Sequence, residues 1–63
     1  MFEITIRFNQ GGPLIFYNVK PVELGLKGQC GKPKILKLFA ESSALILRDY
    51  VIVLDNAQTV HVK

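Results

Sequence analysis

The chain has 63 residues, 49% of them hydrophobic, and sets eight Lys and Arg against five Asp and Glu for a net charge of +3. A chain this short closes at most one small domain with a marginal core, and such scaffolds rely on a disulfide, a metal or a partner chain. A single cysteine and a single histidine exclude an internal disulfide and a zinc site built from four Cys or His ligands, so a partner chain is the support that remains.

The first element is the clearest. Phe2, Ile4, Ile6 and Phe8 alternate with Glu3, Thr5 and Arg7, which predicts a strand with one buried and one wet face. A turn cluster at 9–13 and the β-rich run Leu14–Val19 complete a hairpin with it. Pro21 marks a strand boundary. Val22, Leu24 and Leu26 then alternate with Glu23, Gly25 and Lys27, which suggests a second stretch of strand.

Residues 34–50 admit two structures. Leu36, Phe39, Ala40 and Ser43 have helical spacing, and Pro33 suits a first helical turn. Against this, Leu36, Leu38 and Ala40 alternate with Lys37 and Phe39, and 41–43 would serve as a turn. The runs at 44–47 and 51–54 are apolar all round, unlike a surface helix. The favoured reading is two strands joined at 41–43, with Arg48 and Asp49 interrupting the apolar run as charged guards. Residues 51–54, a turn at 55–58 and a strand at 59–63 then form a closing hairpin. The expected fold class is all-β: a small five- to six-stranded antiparallel barrel or meander of hairpins, with 1–63 as a single small β domain. The alternative is α+β, with a short helix near 34–43.

Residues 25–34, GLKGQCGKPK, hold three of the five glycines, the only cysteine and three lysines. A phosphate-binding P-loop takes glycine, four residues, then Gly-Lys and a hydroxyl residue. Here Leu26 stands where the first glycine belongs, and Pro33 follows Lys32. Backbone N–H groups beside lysines still form a looser anion nest, so Lys27, Lys32, Lys34 and Lys37 are the candidate anion or nucleic-acid contacts. The simpler expectation is a solvent-exposed loop between two strands, with Gly28 or Gly31 at positive φ and Pro33 opening the next strand.

Cys30 has no second cysteine to pair with, and a dyad with His61 would have to be built by the fold. His61 lies between Val60 and Val62 and therefore on the opposite face from both, at the surface or an interface. Glu3, Glu23, Glu41, Asp49 and Asp55 are scattered over strands and turns. No catalytic, cofactor-binding or metal-ligating residue is assigned, no cofactor is expected, and the chain is expected not to be an enzyme.

The apolar runs carry the functional inference. LIFY at 14–17, ALIL at 44–47 and VIVL at 51–54 are apolar on both faces. A chain this small covers only one face of each strand, so a second chain must cover the other. The candidate interface residues are Ile15, Tyr17, Ile52 and Val53. The expected function is that of a non-enzymatic β module that forms a homo-oligomer and acts through protein–protein interaction. The alternative is a small basic β-barrel that binds nucleic acid, with Phe16, Tyr17, Phe39 and Tyr50 as stacking platforms. No apolar run approaches the roughly 18 residues that span a bilayer, and the N-terminus does not read as a signal peptide. A lone free cysteine fits a reducing compartment. A cytoplasmic location and no membrane partner are expected.

Overall fold

A computed structural model describes every residue from Met1 to Lys63. It is mostly β, with five strands: β1 (Phe2–Phe8), β2 (Leu14–Val19), β3 (Ala44–Leu47), β4 (Tyr50–Val53) and β5 (Ala57–Val62). One α-helix, α1 (Lys32–Glu41), and two single-turn 3-10 segments, Pro21–Leu24 and Leu54–Asn56, lie between them. The strands form two antiparallel sheets, β2-β1-β5 and β3-β4, and no closed barrel. The strand count and the first hairpin agree with the sequence. The mixed α+β alternative, not an all-β barrel, describes the chain.

β1 is central because its alternation works on both sides. Ile4 faces Phe16 of β2 and Val62 of β5; Ile6 faces Leu14 and Val60. Ile4 and Ile6 are fully buried. The other parity places Thr5 between Ile15 and His61, on the outer face.

The expected strand at 22–26 is a 3-10 turn instead. Pro21 starts it with its fixed φ. The Glu23 carboxylate accepts the Lys20 backbone N–H at 2.8 Å. Gly25 ends it at φ 76, a conformation that favours glycine. Leu24 alone reaches the core from this turn, so alternation here reflected composition and not a ladder.

The expected strand at 35–40 is α1. Gly31 is its N-cap and Pro33 sits in its first turn, where a missing N–H costs nothing. Ile35, Leu38 and Phe39 recur at helical spacing and turn inward. This stripe lies one residue away from the Leu36–Phe39–Ala40 set expected from the sequence, and Leu36 is exposed. On the wet side Lys37 and Glu41 approach to 3.8 Å, four residues apart, a weak support specific to a helix. Ser42 Oγ donates to the Leu38 carbonyl at 2.7 Å and closes the last turn.

The β3–β4 hairpin turns at Arg48–Asp49, since Leu47 pairs with Tyr50. The expected joint at 41–43 lies before β3 and connects it to the helix. The expected closing hairpin is absent: β4 pairs with β3, and β5 crosses over to pair with β1. Buried side chains from both sheets, the first 3-10 turn and the helix make a single cluster, with Leu47 and Ile52 as the hairpin's share. Complete burial of one such side chain contributes about 1.5–3 kcal/mol.

Candidate functional site

The β3–β4 hairpin has two unlike faces because its pairing is strictly in register. Leu45 opposite Ile52, and Leu47, turn toward the core, while Tyr50 opposite Leu47 lies on the same side and stays exposed. The Tyr50 ring meets the buried Phe16 ring edge-on, with centroids 5.4 Å apart, a favoured aromatic geometry. Ala44 opposite Val53 and Ile46 opposite Val51 form the other face. That face is apolar and wet: Ile46 is 68% exposed, Val51 71% and Val53 52%. The exposed apolar side chains thus form a row on one face of the two-stranded sheet and are not scattered singly.

Of the four interface residues expected from the sequence, Ile15, Tyr17 and Val53 are exposed and Ile52 is buried. Ile52 therefore belongs to the core, and the correction follows from pairing: it shares a face with Leu45 and Leu47. Ile15 and Tyr17 lie on β2, in the other sheet. Ile46 and Val51 lie outside the set expected from the sequence. Two apolar runs of four residues flanking a two-residue polar step are a hairpin signal, and reading Arg48–Asp49 as that step would have placed Ile46 and Val51 opposite each other.

One side chain joins the two sheets at the turn. Arg48 sits at φ 56, a left-handed conformation costing a non-glycine residue about 1–2 kcal/mol. From there its Nε donates to Glu23 Oε1 at 2.9 Å. Its Nη2 donates to the Tyr17 carbonyl at 2.8 Å and to the Asn18 carbonyl at 3.3 Å. Those two carbonyls face one guanidinium because β2 is bulged there: Phe2 pairs with Val19 but Ile4 with Phe16, and Asn18 takes φ 55. Asparagine is among the few residues that tolerate this conformation. Hydrogen bonding from Arg48, then the Lys20 N–H, holds the Glu23 carboxyl below its ordinary value of 4.5. The sequence placed Arg48 only as a guard; a partner 25 residues away left no local signal.

The basic residues are exposed but differently placed. Lys27 lies in the loop before α1, while Lys32, Lys34 and Lys37 belong to the helix. The stretch 25–34 thus runs from the 3-10 turn into a helix and does not join two strands. Gly28 has φ 73, as expected, whereas Gly31 is the extended N-cap of α1 and Pro33 is helical. Cys30 is half-buried and its Sγ lies 3.5 Å from the Lys27 carbonyl. Phe16 and Phe39 are core residues and therefore unavailable for stacking, while Tyr17 and Tyr50 are exposed. His61 is exposed on the outer face, opposite Thr5.

A cleft of about 480 Å³ separates α1 from the start of β5, and Asp55 is its one ionisable lining residue. No three His, Cys, Asp or Glu side chains come within reach of a common metal ion. No helix is long and apolar enough to cross a membrane. Comparison with family models, curated proteins and solved structures finds no match for this chain.

Proposed function

We propose that the protein is a non-enzymatic module that assembles with copies of itself through the β3–β4 hairpin and acts by protein–protein contact. The observation that carries this reading is the exposed row Ala44, Ile46, Val51 and Val53. These residues are β-branched or small, sit on a rigid ladder and lose little conformational freedom on being covered. The opposite faces of the same strands already serve the core, so the row has no intramolecular use.

Sedimentation across a concentration series tests it. The wild type should move from the 7.1 kDa chain mass toward a multiple of it, and Val53→Lys should stay at the chain mass with an unchanged unfolding transition. A wild type that remains at the chain mass up to roughly millimolar concentration, well above the range of specific association, would sink the proposal. Salt separates the basic-barrel alternative. A nucleic acid held by Lys27, Lys32, Lys34 and Lys37 would be released by added salt through counterion uptake, whereas apolar association would survive it.

A further inference from the structure

α1 carries two apolar stripes, and the core uses one of them. Ile35, Leu38 and Phe39 turn inward. Leu36 and Ala40, four residues apart and so on one face of the helix, stay exposed and line the cleft of about 480 Å³ from the helix side. The helical set Leu36, Phe39 and Ala40 legible in the sequence therefore serves this cleft, with Phe39 shared between cleft and core. Leu54 of the second 3-10 turn, with Ala57 and Val60 of β5, lines it from the other side. One exposed leucine on a helix needs no account. Here apolar side chains from three elements converge on one concavity, whose volume lies within the roughly 300–1,000 Å³ of small-molecule sites. The cleft shares no residue with the hairpin row Ala44, Ile46, Val51 and Val53, so it is a site apart from self-assembly through that row.

The polar groups of the cleft select its ligand. Asp55 carries the one charge. Its carboxylate enters neither of the two ion pairs of the chain and accepts no hydrogen bond. Ser42 Oγ gives its proton to the Leu38 carbonyl at 2.7 Å, so toward a ligand it can only accept. Gln58 and Thr59 each add an acceptor oxygen. Acceptors around a single negative charge match a cation rich in N–H donors and repel a carboxylate. Quaternary ammonium groups are held by open aromatic faces. The cleft offers none, because Phe39, its one ring, is buried.

We infer that the cleft between α1 and β5 binds a small organic cation: a primary ammonium group held by the Asp55 carboxylate, on an apolar body laid against Leu36, Ala40, Leu54 and Val60. The body supplies the affinity by leaving water. Asp55 is exposed, so the ion pair stays solvated and contributes selectivity more than strength.

Amide-resolved NMR titration of the intact chain tests this, with n-hexylammonium as the probe and 1-hexanol and hexanoate as its neutral and anionic counterparts. Hexylammonium should give saturable shifts confined to residues 36–42 and 54–60. It should bind about fivefold more tightly than hexanol, the limit for an exposed ion pair, and hexanoate should be the weakest of the three. Asp55→Asn should bring hexylammonium to the affinity of hexanol. Ala40→Leu, which fills the cleft from the exposed side of the helix, should weaken both. Equal affinity for the three probes, shifts scattered over the surface, or a preference for the ammonium that survives Asp55→Asn overturns the inference. Cleft shifts that track protein concentration with no probe present would place a second copy there and overturn it as well. Should either variant fail to fold by circular dichroism, the ranking of the three probes on the wild type decides.

Discussion

β2 and β4 both end a sheet, and they treat their edges in opposite ways. β2 is bulged at Asn18 and turns its Tyr17 and Asn18 carbonyls into the Arg48 guanidinium. A strand bent by a bulge and covered by a cation is a poor template for another chain. β4 is short, unbulged and uncharged; the alternation of its ladder turns the Val51 N–H and C=O away from β3, where no strand meets them, and the Val53 carbonyl serves only as N-cap of the 3-10 turn Leu54–Asn56. The charge that guards β2 comes from the turn that precedes β4. One hairpin therefore closes the edge of the other sheet with its tip while leaving its own edge open. The lesson is that exposure of apolar side chains does not by itself distinguish the two edges, since Ile15 and Tyr17 are exposed on β2 as well. What distinguishes them is whether the backbone groups beside those side chains have partners.

The contrast breaks most visibly within β4 itself. Ile52→Lys buries an unpaired ammonium in the core, a loss of several kcal/mol, comparable with the roughly 3–9 kcal/mol available to a chain of this size. It should abolish the cooperative unfolding transition, whereas Val53→Lys, one residue away on the opposite face, should leave that transition in place.

Next in size is the clasp. Arg48→Ala should lower the melting temperature and increase aggregation, because it uncovers the β2 carbonyls and strands the Glu23 carboxylate. Arg48→Gly loses the same contacts but relieves the left-handed backbone, so it should be more stable than the alanine variant by about 1 kcal/mol. Equal stabilities by denaturant titration would mean that the turn relaxes without the clasp.

The clasp also sets a pH dependence. Because the folded carboxyl of Glu23 is held below its ordinary value of 4.5, the stability it contributes is present in full above that value and is lost as pH falls through the lower folded value. Melting followed from about pH 6 down into the acid range should therefore show a decline that is smaller in Glu23→Gln. An identical decline in that variant would assign the acid sensitivity to other carboxylates.

The smallest effects are expected at the loop and helix start, which touch neither edge. Replacing Lys27, Lys32 and Lys34 together by glutamine, or Cys30 by serine, should change stability by no more than about 0.5 kcal/mol. A larger loss in chemical denaturation would reveal a contact made by these side chains that their exposure does not suggest.

Period-two alternation by itself determined β1, its inward face and its hairpin with β2, because a half-buried strand writes its burial directly into every second residue. It also required that the apolar runs 14–17, 44–47 and 51–54 each leave one face uncovered, since a chain of 63 residues has too little material to cover both. Only the tertiary structure decided the rest. Residues 35–40 satisfy helical and strand spacing alike, and the helix won because Ile35, Leu38 and Phe39 reach one common core. The partner of β5 is β1, 49 or more residues away in sequence, a choice made by closing the central strand on both sides. Whether Ile52 or Val51 faces solvent depends on a one-residue phase fixed by the Arg48–Asp49 turn. The two edges were indistinguishable beforehand for the same reason: the groups that guard β2 come from Arg48, 30 residues beyond Asn18, and only folding brings that side chain to the carbonyls it covers.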